Sequence, residues 1–303
     1  MPRLLSLSIV LIAFSAAAAQ DMPLSQILIE GEDWRLVSEG HKFTEGPAVD
    51  AAGNVFFVDV PESKIFKIDA QSQKVSLFAE DTGRTSGLVF GSDGRLYACQ
   101  NGNRAIVAYD TAGKPTHSKP TTIAEGLDVN DLCITRSGRI YVTDPKNHQV
   151  WLVEPNGKKR VVDAGIERPN GITLWPDQRT LVVADSAGEK LWTFRIADDG
   201  SLQFKQPYYT LQLTAATILA GKTSSGADGM KVDRDGRLYA TSQAGLQVCD
   251  TQGRLAGILH SPQQKPLSNV CFGGPDLDTL YVTCGDRVYS RRAKARGVSN
   301  LAP

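Results

Sequence analysis

An all-β fold, a six-bladed β-propeller with a central channel, is what the sequence predicts, and two observations carry that expectation. A hairpin signature, a tight turn of Asp-Gly type between alternating apolar residues, recurs six times. It reads VDAAGNVFFVDV at 49–60, FGSDGRLYACQN at 90–101, ITRSGRIYVTDP at 134–145, LWPDQRTLVVADS at 174–186, VDRDGRLYATSQ at 232–243 and FGGPDLDTLYVTCG at 272–285. The turn positions Gly53, Gly94, Gly138, Gln178, Gly236 and Asp278 then follow one another at 41, 44, 40, 58 and 42 residues. Intervals of that size match one four-stranded blade per repeat. A β-sandwich with chance hairpins would not hold such a period. Helical periodicity is nearly absent.

Taken in order, residues 1–19 form a leader: Arg3, an apolar run over 4–14, then Ser15 and the small residues 16–19, with cleavage expected between Ala19 and Gln20. The apolar run is short for a bilayer, which disfavours a membrane anchor. The mature chain, 20–303, is expected to be one propeller domain, exported to the periplasm or secreted. A strand at 34–38 either closes the ring by pairing with 288–290 or stands as an isolated edge; an open ring would leave edges unprotected. Third strands are expected at 65–69, 106–110, 150–153, 191–196 and 246–250, and fourth strands at, for example, 75–79 and 160–163. The interval 202–225 stretches one spacing to 58 and reads as a long loop, a candidate lid over the site. Within it Gly221-Lys222-Thr223 resembles a fragment of a P-loop, but Ala216 stands where the leading glycine belongs, so a nucleotide site is rejected.

Composition excludes several classes. Lys plus Arg and Asp plus Glu are 33 each, for a net charge of zero, so nothing suggests a nucleic-acid partner. The four histidines, His41, His117, His148 and His260, form no paired zinc motif. His41 stands four residues before Glu45 and could reach the site mouth or simply be solvated. The five cysteines lack any C-x-x-C spacing and read as buried free thiols.

The chemistry lies eight residues before each turn. That step gives Glu45, Ser86, Asn130, Asn170 and Asp228, with Asn269 at an offset of nine in the last repeat. Equivalent positions in blades lie at one height and radius, here at the opening of the innermost strand. Two carboxylates and two carboxamides therefore converge on the axis, and the small residue after most of them lets backbones approach. Oxygen-only ligands with two negative charges suit one hard divalent cation, calcium first, with magnesium or zinc as alternatives. The expected metal ligands are Glu45, Asn130, Asn170 and Asp228.

The segments Phe43-Thr44-Glu45-Gly46-Pro47, Val129-Asn130-Asp131-Leu132, Arg168-Pro169-Asn170-Gly171-Ile172 and Asp228-Gly229-Met230 resemble the metal-site motifs of the gluconolactonase family, also called the senescence marker protein or regucalcin family. The resemblance runs in order over about residues 34–290. It implies a six-bladed propeller with a divalent metal in the channel and hydrolysis of sugar lactones or, in relatives, of organophosphates. The 100–104 segment resembles a polar stretch beside the metal in that family, so Asn103 and Arg104 are candidate substrate contacts together with Asn130. Asp185 resembles a family aspartate near the site and is carried as a further substrate contact or a turn cap. Asp128 stands where some relatives place a sugar-binding arginine, which separates this chain from their substrate.

The mechanism expected is attack of an ion-activated water on a cyclic ester, a small-molecule sugar lactone, with Asp228 as general base. Ser86 has no G-x-S-x-G context, which argues against a serine triad. Two other readings stand beside it: a phosphotriesterase-like hydrolase using the same ion, and a non-catalytic propeller binding a sugar or protein around a structural ion.

Overall fold

A computed structural model describes residues 22–111 and 119–299, which leaves the leader at 1–19 outside the described residues. Six four-stranded antiparallel sheets follow one another around a ring. Their innermost strands are Thr44–Val49, Thr85–Phe90, Leu132–Ile134, Pro169–Leu174, Met230–Val232 and Leu267–Gly273, blades 1 to 6 in that order. In blades 1 to 5 the strands are stacked outward in chain order. Blade 6 takes its outermost strand from the N-terminus: Arg35–Ser38 pairs with Arg287–Arg292, with Arg35 opposite Ser290 and Leu36 opposite Tyr289. The ring is thus closed, which resolves the two readings of 34–38.

The turns explain the period. Gly53, Gly94, Gly138, Gln178, Gly236 and Leu277 all take a left-handed conformation, φ between 52° and 87°, and each donates its N–H to the carbonyl three residues back. In blade 6 the left-handed residue is therefore Leu277 and not Asp278. Apolar side chains fill the wedges between blades: Phe56 meets Phe78 and Phe90 edge-on at 5.0 and 5.2 Å, and Tyr239 meets Phe272 at 5.1 Å across blades 5 and 6.

The long interval at 202–225 differs from expectation. Its first part is the nine-residue outer strand of blade 4, Leu202–Thr210. A single helical turn follows, Ala215–Leu219, started by the Thr214 hydroxyl, which accepts from Thr217 N at 3.1 Å. Only the remainder is loop.

Hydroxyl groups join neighbouring blades at the end where the inner strands begin. Ser86 Oγ donates to Asn130 O (2.5 Å), Thr143 Oγ1 to Asn170 O (2.6 Å), Ser186 Oγ to Ala227 O (2.6 Å), Thr241 Oγ1 to Ser268 O (3.0 Å) and Ser268 Oγ to Thr44 O (2.8 Å). Each of these bonds gives a backbone carbonyl near the start of an inner strand a donor from the preceding blade, in five of the six blades.

Candidate functional site

With the blade 6 turn placed at Leu277, Asn269 also stands eight residues upstream, and one position per blade forms a ring: Glu45, Ser86, Asn130, Asn170, Asp228 and Asn269. The residue after each decides how closely the blades approach. A Cβ on Gly46 would lie 2.0 Å from Ser86 O, one on Gly171 2.0 Å from Asp228 O, and one on Gly229 1.8 Å from Asn269 Cγ. No side chain fits there, so glycine is required by close approach. Blades 3 and 6 break the pattern. Val270 fills an apolar cluster. Asp131 is buried, and a Cβ on Gly87 would lie 2.5 Å from its Oδ1. A third carboxylate thus enters the ring, one that the eight-residue rule does not select.

Glu45 Oε2 accepts from Asn269 Nδ2 at 2.9 Å and from the Gly46 N–H. Burial, followed by the Asp131 charge, pushes the Glu45 carboxyl well above its ordinary value, while the Gly46 and Asn269 donors and the Lys231 ammonium oppose the rise. The Asp228 carboxyl is also driven well above its ordinary value, first by burial and then by Glu45 and Asp131, against the Arg168 charge and the Asn170 amide. Burial also raises Asp131, with Lys231 the leading opposing influence and the Leu132 and Ile172 N–H groups next. Crowded carboxylates in a desolvated volume behave in this way when no cation shares their charge.

Each candidate from the sequence has a definite place. Glu45, Asn170 and Asp228 come together, joined by Asp131 and Asn269. Asn130 holds its ring position through its backbone, its carbonyl accepting from Gly87 N at 3.0 Å and Ser86 Oγ at 2.5 Å. Asn103 donates to Gln100 Oε1 at 2.9 Å on an exposed turn. Arg104 forms a two-pronged ion pair with Asp128 (3.1 and 3.0 Å), a carboxylate that also takes Lys146 at 3.3 Å. Asp185 accepts from Arg168 N at 3.0 Å and Ala187 N at 3.1 Å and so clamps a turn. The His41 side chain is buried rather than solvated, its ring edge-on against Phe57 and Phe66, which stack on each other.

Two buried oxygens in the ring lack a hydrogen-bond partner: Asn170 Oδ1 and Asp131 Oδ2. Orphaned buried acceptors are rare and call for a physical reason. Among the described residues no group of three or more His, Cys, Asp or Glu side chains is disposed to hold a metal alone; a set that includes carboxamides is another matter. Carboxylate and amide oxygens without thiolate or imidazole fit a hard divalent cation. Beyond the ring the channel continues as a cavity of about 80 Å³, lined by Val89, Cys133, Thr173, Lys231 and Cys271 and reached by Val298 of the C-terminal segment. All five cysteines are buried free thiols.

A closed propeller whose axis opens on buried acids and amides at one end belongs to the class that concentrates its chemistry in the central channel. The chain is a member of the SMP-30/Gluconolactonase/LRE-like family, whose model matches residues 43–286. It is 24% identical to a gluconolactonase of Zymomonas mobilis subsp. mobilis over 90% of this chain and 85% of the relative. With lactonase drp35 of Staphylococcus haemolyticus it shares 26% identity over 82% of this chain and 75% of the relative. The structure of a calcium-binding protein, regucalcin, from Agrobacterium tumefaciens superposes with a TM-score of 0.73 at 19% identity, covering 88% of this chain and 96% of the other.

Proposed function

We propose that the protein is a divalent-cation-dependent lactonase that opens sugar-type lactones to hydroxy acids. The observation that carries this reading is the crowding of Glu45, Asp131 and Asp228 in a desolvated ring that leaves the Asn170 Oδ1 acceptor unpaired. Membership of a family with relatives named gluconolactonase and lactonase supports it, and a neighbour described as calcium-binding supports calcium as the ion. Glu45, Asn130, Asn170 and Asp228 would hold that ion. When bound, a divalent cation supplies polarisation of an ester carbonyl and a lowered proton affinity for nearby water. Asp228 takes the proton of the attacking water as its oxygen bonds to the carbonyl carbon. The ring C–O bond breaks, and the alkoxide oxygen takes up a proton to leave a hydroxy acid. Asn103 and Arg104, on the turn that follows Gln100, would contact substrate hydroxyls together with Asn130, and Asp185, which holds the turn at Arg168, would act as a further substrate contact. We also propose export, with cleavage after Ala19, three residues before Met22, which packs against the core; N-terminal sequencing of the periplasmic or secreted protein tests it, and an intact Met1 refutes it.

The test of the activity is a panel of sugar lactones, simple lactones and aryl phosphotriesters, with and without chelator. Lactone turnover that disappears with chelator and returns with Ca2+ is expected. Preferential phosphotriester turnover would favour the second hydrolase reading, and retained cation without any turnover would favour a binding propeller. Asp228→Asn should keep the fold and much of the cation affinity but lower kcat by about 100-fold or more. Glu45→Gln should weaken cation binding in a calorimetric titration, and an unaltered titration counts against the ligand set.

A further inference from the structure

Ser186 lies at the meeting point of two features of the ring that the ligand set alone leaves unexplained. Its Oγ donates to Ala227 O at 2.6 Å, the carbonyl just before Asp228, and accepts from Asn170 Nδ2 at 3.1 Å. Its own carbonyl is held by Ser224 Oγ at 2.7 Å and Gly226 N at 3.3 Å, so the hydroxyl is fixed in place from the backbone outward. We infer that Ser186 is a positioning residue that sets which end of the Asn170 carboxamide is offered to the channel cation. The inference rests on the cation reading proposed above.

The argument is one of proton count. A serine hydroxyl has a single hydrogen and otherwise only acceptor capacity. That hydrogen is committed to Ala227 O, a carbonyl that can only accept. What Ser186 Oγ presents to Asn170 is therefore a lone pair, and only the NH2 end of the carboxamide can face it. A flipped Asn170 would set two acceptors against each other and turn its NH2 toward the cation. With the NH2 end fixed, Oδ1 is the end left over, and it is the buried atom of this side chain without a partner. Asn and its flipped form have the same shape, so packing alone would not distinguish them. Groups that orient metal ligands in this way typically contribute 10- to 100-fold to affinity.

Calorimetric Ca2+ titrations of the full chain test this. Ser186→Ala should weaken Ca2+ binding about ten-fold, and Ser186→Thr, which keeps the hydroxyl, should restore affinity close to that of the wild type. The decisive comparison is the Asn170→Asp background, where both ends of the side chain are oxygen and orientation no longer matters: there Ser186→Ala should change affinity by less than about two-fold. Equal losses in both backgrounds would mean that Ser186 only staples blades 4 and 5, and would overturn the inference. Absence of Ca2+ binding in the wild type would instead overturn the cation reading itself. If Ser186→Ala does not fold, the wild-type Asn170 side-chain NH2 protons decide: slow solvent exchange by NMR is expected, and fast exchange refutes the hydrogen bond to Ser186.

Discussion

His41 sits in an apolar slot that admits its neutral form more readily than its charged one. Phe57 and Phe66 meet its ring edge-on at 5.1 and 4.9 Å; its Nε2 is 2.7 Å from Ser38 Oγ, and its Nδ1 is 3.6 Å from an Asp59 oxygen. Burial lowers its pKa below 6.5, with the Asp59 and Asp286 charges opposing. The unfolded chain therefore takes up this proton at higher pH than the folded one. The stability His41 contributes is complete above pH 6.5 and is lost as pH falls toward the folded value. Thermal melts at pH 7.5 and 5.5 should show a larger loss for the wild type than for His41→Gln; equal losses would remove this account. The buried carboxyls of the ring shift the opposite way, so only the difference between the two proteins isolates His41. The sequence singles out this residue by its place four positions before Glu45 but not its slot, which is made by strands 16 and 25 residues downstream. Asp131 was hidden for a different reason. It occupies the slot that Gly46, Gly87, Gly171 and Gly229 fill elsewhere, and that departure was the available signal.

The hydroxyls that join the blades are features of the strand ends and loops rather than of single side chains. Thr241 Oγ1 bridges two carbonyls, Gly229 O at 2.8 Å in its own blade and Ser268 O at 3.0 Å in the next. Both carbonyls also take backbone donors, Thr241 N at 3.0 Å and Gly229 N at 2.7 Å. Thr241→Val therefore leaves neither carbonyl orphaned and removes only the second bond to each. The expected loss is about 1 kcal/mol, read as a fall of about 2–4 °C in Tm, and no change would show that the backbone donors suffice. At this scale the sequence was informative wherever a turn is local. Five of the six turn residues followed from Gly or from Gln178 in an Asp-Gln-Arg context. Leu277 did not, because a leucine rarely takes positive φ on its own. Here Gly297 N donates to Leu277 O at 2.8 Å and Ala293 N to Asp278 O at 2.7 Å, so the C-terminal segment imposes the conformation. The strand Leu202–Thr210 was missed because its burial scarcely alternates: an outer strand with one exposed face and Pro207 within it shows no clean period of two.

The ring as a whole was legible because six copies of one local signal add up, whereas its closure depends on pairing across more than 250 residues. The N-terminal segment does more than supply Arg35–Ser38. Ile27 is fully buried, with Leu24 and Met22 packed against the same cluster between blades 5 and 6. Lys294 N donates to Ile27 O at 2.8 Å, Trp34 Nε1 to His260 O at 3.1 Å, and Arg292 Nε to Glu32 Oε1 at 3.0 Å. A chain beginning at residue 40 would keep every inner strand and the whole ligand ring, yet it would expose the edge strand Arg287–Arg292 and open the Ile27 cluster. An unpaired edge of that kind invites pairing with another chain. Size-exclusion chromatography of the shortened protein should show association or aggregation, and its Tm should fall by more than the Thr241→Val change produces. If it stays monodisperse with an unchanged melting curve, the propeller is held by blade-to-blade packing and the hydroxyl staples alone. Should it remain folded but melt earlier, its Ca2+ affinity would then show whether the ring of oxygens depends on closure at all: Glu45 lies five residues beyond the new start and is pinned to blade 6 through Asn269, so the cation site should lose affinity in step with the ring.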